Sequence, residues 1–265
     1  MPNKLDEICA RKREEVAVRK AAMPLSVLRH QALGIPPPRG FADALRRRVA
    51  RDEVALIAEI KRSSPSAGPL RPNLSVREVA QAYEAGGAAC LSVLTDAPFF
   101  GGRAEDLTDA VSACSLPVLR KDFLVDPWQV IESRTLGADA VLLILAALEE
   151  SDARAIHEAA RSYGMDVLIE IHTSAELNLA LTFPPGLLGI NNRDLKTLTT
   201  RLTTTEELAP LVPPGWLTVS ESGVKGPEDI ARLRDIGIGA FLVGESLLRQ
   251  ADLTLATRDL VTPKI

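Results

Sequence analysis

Short apolar segments alternate with amphipathic segments from residue 54 onward. The apolar segments predict eight β-strands, at residues 54–61, 89–95, 117–121, 139–145, 166–171, 187–191, 216–220 and 239–243. The amphipathic segments predict a helix after each strand, at about 75–86, 103–113, 127–136, 149–163, 174–182, 203–210, 227–236 and 245–251. A helix after every strand predicts a parallel sheet, because parallel strands need a crossover connection.

Several of these predicted helices have recognisable ends. Ser75 and Glu78 have the spacing of a capping box at the start of the first one. Pro127 and Pro227 occupy first-turn positions, where a missing N–H costs nothing. Gly137 is one of several glycines that follow a predicted helix directly, as helix ends favour. These signals support the boundaries drawn from the hydrophobic pattern.

The first fifty residues do not follow the strand–helix alternation. Residues 3 to about 31 predict one helix, a Gly- and Pro-rich segment breaks it at 34–40, and residues 41–50 predict a second helix. We therefore expect an α/β fold, a (β/α)8 barrel forming a single domain over residues 1–265, with residues 1–50 as a helical N-terminal extension. A doubly wound open sheet is the alternative. It is less favoured, because no GxGxxG follows a strand and eight units suit closure.

Composition narrows the class of protein. Hydrophobic residues make up 46% of the chain and charged residues 25%, with a net charge of -4 and no basic block, so no nucleic-acid partner is expected. The longest wholly apolar run, 140–148, is too short to span a membrane. The charged N-terminus lacks the apolar segment of a signal peptide. Cys9, Cys90 and Cys114 are scattered without a CxxC, which argues against a metal site or disulfides and favours a cytoplasmic location.

Charged or polar side chains lie within or at the ends of five predicted strands. Glu59 and Lys61 are two residues apart, so they share one face of the first strand. The later strands contribute Lys121, Glu170, Asn191, Arg193, Glu221 and Ser222. In a closed barrel these side chains meet at one end, where opposed charges shift each other's pKa and can serve as acid and base. Any one pair could be a structural ion pair, but the recurrence in five strands favours an active site.

Glycines follow the last two predicted strands. Gly223 and Gly244 stand where barrels commonly bind a phosphate group, because glycine lets backbone N–H groups approach an anion. The alternative is that both are only tight turns. Glu245 would repel a phosphate group through its side chain, so it fits this site only if its backbone N–H faces the anion.

Seven motifs carry a resemblance to a known family. They lie at residues 57–66, 91–96, 99–102, 117–123, 168–172, 189–195 and 221–224. On these motifs the chain resembles the indole-3-glycerol-phosphate synthase family. The resemblance implies a carboxy-lyase of tryptophan biosynthesis that needs no cofactor or metal. Its substrate would be 1-(2-carboxyphenylamino)-1-deoxyribulose 5-phosphate, whose indole ring closes with loss of carbon dioxide and water.

The resemblance also implies roles for individual residues. Lys121 would be the general acid, Glu170 the acid/base partner in the dehydration, and Lys61 the partner of the substrate carboxylate, with a possible share of the acid role. Glu59, Asn191 and Glu221 would position the reacting groups of the substrate. Arg193 and Ser222 would help to hold the substrate. The aromatic ring would lie against Phe100, Phe123, Leu142 and Leu195, and the phosphate against Ser64, Gly223, Gly244 and the backbone of Glu245. Which lysine acts in which step stays open.

We expect the pKa of Lys121 to be lowered by burial or by the second lysine, Lys61, so that it donates a proton near neutral pH. Asp122 would orient Lys121 or cap a turn. Of the histidines, His172 is expected to be structural or to act through a neighbour, whereas His30 and His157 are expected to be exposed.

Two other functions are less favoured by these residues. A phosphoribosylanthranilate isomerase would need a Cys and an Asp as its acid/base pair, and neither Cys90 nor Cys114 lies at a strand end. A barrel that only binds a sugar phosphate would be expected to lack one of the three residues Lys61, Lys121 and Glu170, all of which are present. The expected partner is thus a phosphorylated small molecule, with no nucleic acid or membrane, and the expected state is a monomer or a weak dimer.

Overall fold

The barrel closes as the sequence predicts. The computed structural model describes residues 4–65, 68–71, 73–194, 197 and 199–262. Its eight barrel strands are β1 Ala55–Ile60, β2 Cys90–Leu94, β3 Val118–Lys121, β4 Ala140–Ile144, β5 Asp166–Ile171, β6 Leu187–Asn191, β7 Leu217–Glu221 and β8 Ala240–Val243. All pairs are parallel, and β1 pairs with both β2 and β8. The open doubly wound sheet is therefore excluded.

Thirteen α-helices are found within the described residues. They are α1 Lys4–Ala22, α2 Leu25–Leu33, α3 Phe41–Val49, α4 Val76–Gly86, α5 Ala97–Phe100, α6 Ala104–Ala113, α7 Pro127–Thr135, α8 Glu150–Ser162, α9 Ser174–Ala180, α10 Thr203–Leu208, α11 Pro227–Arg234, α12 Glu245–Leu248 and α13 Leu253–Val261. Two 3₁₀ turns lie at Leu145–Ala147 and Ala209–Leu211. After β1, Ser63–Ser64 pairs with Gly68–Pro69 as a small antiparallel hairpin.

Two predicted helices are wrong in their extent. The single helix over residues 3–31 is two helices, because α1 ends at Ala22 and Pro24 stands directly before α2. Proline has no N–H to donate to the preceding turn, and its ring clashes with that turn. The predicted helix 245–251 ends at Leu248, and a further helix, α13, starts after Asp252, whose side chain accepts from the Leu255 N–H at 2.9 Å.

The two faces of each strand belong to different cores. On β1, Leu56, Ala58 and Ile60 pack outward against the surrounding helices. Ile57 points into the barrel, where it packs with Phe41 of α3 and with residues of the other strands. The alternation expected for β1 is confirmed, and it directs Glu59 to the inside as well.

The N-terminal extension is attached to the side of the barrel. Val16 of α1 and Leu28 of α2 pack with Trp128 and Ile131 of α7 in a separate cluster. The indole N–H of Trp128 also donates to the Met23 carbonyl at 3.2 Å. Within the part of the chain that the structure describes, no helix has both the length and the apolar character needed to cross a membrane.

Two residues outside the site test the predicted burial. Cys90 is fully buried in the barrel interior, as expected of a core residue. The expectation that His157 is exposed is wrong. Its side chain is buried and its ring packs edge-on against Phe183, with the ring centroids 5.2 Å apart. Burial lowers the pKa of His157, with Arg161 and Arg154 acting in the same direction.

Candidate active site

One cavity of about 460 Å³ lies at the carboxyl ends of the strands. It is lined by every predicted site residue in the described part of the chain: Glu59, Lys61, Ser64, Phe100, Lys121, Phe123, Leu142, Glu170, Asn191, Arg193, Glu221, Ser222, Gly223, Gly244 and Glu245. Leu195 lies outside the described residues. The barrel thus brings together side chains that are far apart in the sequence, at the end where barrel enzymes carry their chemistry.

Lys121 stands between two carboxylates at the end of β3. Its Nζ lies 2.7 Å from Glu221 Oε2 and 3.3 Å from Glu170 Oε2. Burial alone would lower the pKa of Lys121, but the carboxylates of Glu221 and Glu170 outweigh burial and raise it. The expectation that the pKa of Lys121 is lowered is therefore wrong. The second lysine, Lys61, is also paired with a carboxylate: its Nζ lies 2.5 Å from Glu59 Oε1.

The two carboxylates around Lys121 differ in charge state. Burial raises the pKa of Glu221 to about 7, with Lys121 opposing the rise and Glu170 adding to it. Burial also favours the neutral form of Glu170, but Lys121 and His172 outweigh it and hold the pKa of Glu170 well below its usual range. Glu170 is thus ionised in the free protein, while Glu221 titrates near neutral pH.

Asn191 fixes the position of Glu170. Its Nδ2 donates to Glu170 Oε1 at 3.1 Å, and its Oδ1 accepts from the Arg193 backbone N–H at 3.0 Å. These two bonds orient the amide group unambiguously, because the nitrogen donates and the oxygen accepts. Glu170 Oε2 is left directed at Lys121.

Two glycines make room for two of the carboxylates. A Cβ on Gly189 would lie 2.0 Å from Glu221 Oε1, and a Cβ on Gly244 would lie 2.5 Å from Glu59 Oε1. Any larger residue would therefore displace these side chains. Glu221 Oε1 is buried and has no hydrogen-bond partner among the described residues.

One side of the cavity is apolar. Phe100 and Phe123 stand 6.1 Å apart between ring centroids, and Leu142 lies in the same wall. Leu5 and Ile8 of α1 also line the cavity, although no sequence motif assigns them to the site. Their spacing, together with that of the buried Cys9 and Val16, is typical of one helical face and could have indicated that α1 packs on the barrel.

The opposite end of the cavity is built from loops after β7 and β8. Ser222 and Gly223 are both left-handed, with φ of 63° and 90°. Gly244 precedes α12, whose first N–H groups have no partner within the helix. The side chain of Glu245 accepts from Arg249, from Nε at 3.1 Å and Nη2 at 2.9 Å, so its charge is compensated. The objection that Glu245 would repel a phosphate group is thereby weakened.

Comparison with known proteins agrees with this arrangement. The family model of indole-3-glycerol phosphate synthase matches residues 5–260. The chain belongs to the indole-3-glycerol-phosphate synthase family. It is accordingly an enzyme, a carboxy-lyase of tryptophan biosynthesis, and its family acts on a phosphorylated small molecule.

Relatives in this family match over nearly their whole length. An indole-3-glycerol phosphate synthase of Rhizorhabdus wittichii is 50% identical over 262 residues, which cover 99% of each chain. One of Azospirillum brasilense is 50% identical over 261 residues, covering 98% of this chain and 100% of the relative. Among solved structures, a designed cube-shaped protein cage matches 78% of this chain and 71% of its own, at 18% identity and a TM-score of 0.57, which supports the fold alone.

Proposed function

We propose that this cavity closes the indole ring of 1-(2-carboxyphenylamino)-1-deoxyribulose 5-phosphate, with Lys121 as the general acid. The observation that carries this assignment is the Lys121 ammonium group, which stands between Glu170 and Glu221 at the base of the cavity. The two carboxylates keep Lys121 protonated and hold it at a fixed point, so it needs no reorganisation before it acts, although they also make it a weaker acid than a free lysine.

The shape of the cavity supports one orientation of the substrate. The aromatic ring lies against the apolar wall formed by Phe100, Phe123 and Leu142. The phosphate group lies at the glycine end, on the backbone of Gly223, Gly244 and Glu245 and the hydroxyl group of Ser64. The ribulose carbonyl group then falls between the two ends, within reach of Lys121.

Ring closure is the first step. Lys121 gives its proton to the ribulose carbonyl oxygen while the ring carbon that bears the carboxylate attacks the carbonyl carbon. A carbon–carbon bond forms and the carbonyl oxygen becomes a hydroxyl group. Lys61 pairs with the substrate carboxylate until the carbon–carbon bond to it breaks. Carbon dioxide leaves, and its bonding electrons restore the aromaticity of the ring.

Dehydration follows. The new hydroxyl group accepts a proton and leaves as water, and a base removes a proton from the carbon beside the nitrogen. Glu170 is suited to the role of base, because Lys121 and His172 keep it ionised. The proton on the leaving water comes from Lys61, or from Lys121 after it has taken up a proton from solvent. Glu59, Asn191 and Glu221 position the reacting groups, and Arg193 and Ser222 hold the substrate.

The proposal extends to where the enzyme acts and to its oligomeric state. The enzyme acts in the cytoplasm, where small biosynthetic intermediates are made. It acts as a monomer or a weak dimer, and the proposed site residues within the described part of the chain line one cavity without a second copy.

The proposal is tested by mixing the purified protein with this substrate and following indole fluorescence, with no metal added. We expect fluorescence to rise together with the release of one carbon dioxide per indole formed. Fluorescence that does not rise, although the substrate binds, would contradict the proposed reaction. The matched control is Glu170→Gln, which keeps the size of the side chain and removes the base.

A further inference from the structure

His172 lies directly behind one of the proposed catalytic groups. It follows β5 two residues after Glu170, so both side chains project from the same face of the strand. Its Nε2 lies 3.3 Å from Glu170 Oε1, and its Nδ1 lies 3.2 Å from Glu176 Oε2. The side chain of His172 is 10% exposed and does not line the cavity. It therefore contacts Glu170 from the side away from the substrate.

Glu176 is itself held in place. Its Oε2 accepts from the His172 backbone N–H at 2.7 Å, and its Oε1 accepts from the Thr173 hydroxyl group at 3.1 Å. The imidazole ring is thus fixed between a carboxylate on α9 and a carboxylate on β5. Nε2 lies at ion-pair distance from Glu170 Oε1 but makes no hydrogen bond to a described residue, so it is the two carboxylates beside the ring that favour the imidazolium form.

The charges around His172 point the same way. Glu170 faces it from its own strand and Glu176 from α9, while Asn191 of β6 is uncharged and Lys121 of β3 lies beyond Glu170. Burial lowers the pKa of His172, but the carboxylates of Glu170 and Glu176 outweigh it and raise the pKa to about 10.

We propose that His172 is a positioning residue for Glu170, which it holds by one oxygen and keeps ionised. Asn191 and His172 both face Glu170 Oε1, so Oε2 is left for Lys121 and for the proton removed in the dehydration. This inference rests on the role of base proposed for Glu170. It gives the pair His172 and Glu176 a function in the reaction, although neither contacts the substrate.

The charge state of the His172 ring can be measured in the absence of substrate. The chain has three histidines, so a protein labelled with ¹⁵N at histidine gives three ring spectra, and His172→Gln assigns the one of interest. We expect this ring to show two protonated nitrogens at pH 8.5, well above the ordinary pKa of a histidine. A neutral ring at that pH would overturn the inference. This result does not depend on whether the proposed reaction is correct.

The effect on the reaction is measured by kinetics on the full chain. We expect His172→Gln to lower kcat about tenfold with KM nearly unchanged, a part of the 10²–10⁴-fold that a general base supplies. Glu176→Gln keeps the ring in place but removes one of its two carboxylates. We expect this variant to lower the pKa of His172. The plot of kcat against pH should then fall at the pH where the His172 ring loses its proton.

The matched control is His157→Gln, which also replaces a buried histidine but lies outside the site, and its kcat should equal that of the wild type. If His172→Gln keeps full kcat, or if Glu176→Gln changes stability without changing the pH profile, the positioning role is wrong. Failure of the proposed function has a different signature, since the wild type itself would then form no indole product.

Discussion

Lys12 of α1 binds Asp122, the residue that directly follows Lys121. Its Nζ lies 2.9 Å from Asp122 Oδ1 and 2.7 Å from Asp96 Oδ1, and all three side chains are buried. Arg120 holds the other oxygen of Asp122 at 3.1 Å. The N-terminal extension is therefore joined by buried charge to the strand end that carries the proposed acid. The sequence predicts that Asp122 orients Lys121 or caps a turn, and the structure adds that its side chain anchors α1 and accepts from the Phe123 N–H at 2.8 Å.

Removing the charge of Lys12 should destabilise the protein. Lys12→Met leaves Asp96 and Asp122 buried with less compensation, and breaking a buried pair costs about 3–5 kcal/mol. The free energy of unfolding in urea measures this loss. The control is Lys20→Met, which breaks the ion pair with Asp126 at 2.6 Å where Lys20 is 44% exposed, and which should cost at most about 1 kcal/mol. Equal losses in the two variants would show that the buried pair contributes no more than the exposed one.

Gly189 should be required for activity rather than for folding. In Gly189→Ala the new Cβ would overlap Glu221 Oε1, so the carboxylate that pairs with Lys121 must shift. A displacement of about 1 Å in a catalytic group can lower kcat about 100-fold. Gly186→Ala is the matched control, because its Cβ meets nothing closer than 3.9 Å. Steady-state kinetics should separate the two variants, and equal kcat values would rule out this role for Gly189.

The pH dependence of kcat/KM should show the ionisation of the Glu221 carboxyl group. Its pKa is raised to about 7 by burial, so it is neutral below that pH and becomes a carboxylate above it. If the carboxylate form orients Lys121, kcat/KM should rise as the pH passes through about 7. Glu221→Gln should lose this inflection, while any ionisation of the substrate phosphate group remains. A profile that is unchanged in Glu221→Gln would mean that the inflection belongs to another group.

The stability of the protein at alkaline pH should depend on the protonation of His172. Its pKa in the folded protein is about 10, above the ordinary value of 6.5. A raised pKa means that the folded state binds the proton more tightly, so this contribution is fully present below pH 6.5 and is lost as the pH rises through about 10. The free energy of unfolding should therefore fall more between pH 7 and pH 9.5 in the wild type than in His172→Gln. Parallel curves for the two proteins would refute the assignment.

Sequence alone predicts the parts of this enzyme that depend on local pattern. The alternation on β1 places Glu59 inside the barrel, and the order of strands and helices gives the closure. The pairing of Lys121 with Glu170 and Glu221, and the clearance that Gly189 gives Glu221, depend on distances between strands that no local pattern records. The direction of the pKa shift on Lys121 was wrong for the same reason, because it depends on which charge lies nearest.

The central claim is that Lys121, held between Glu170 and Glu221, is the general acid of ring closure. Indole formation by Lys121→Ala tests it most directly, in a single turnover with enzyme in excess, beside Lys61→Ala as the comparison. We expect Lys121→Ala to bind the substrate and form no indole, because no other donor occupies its position. We expect Lys61→Ala to bind the substrate more weakly and to form indole slowly. Near-normal turnover by Lys121→Ala would contradict the account.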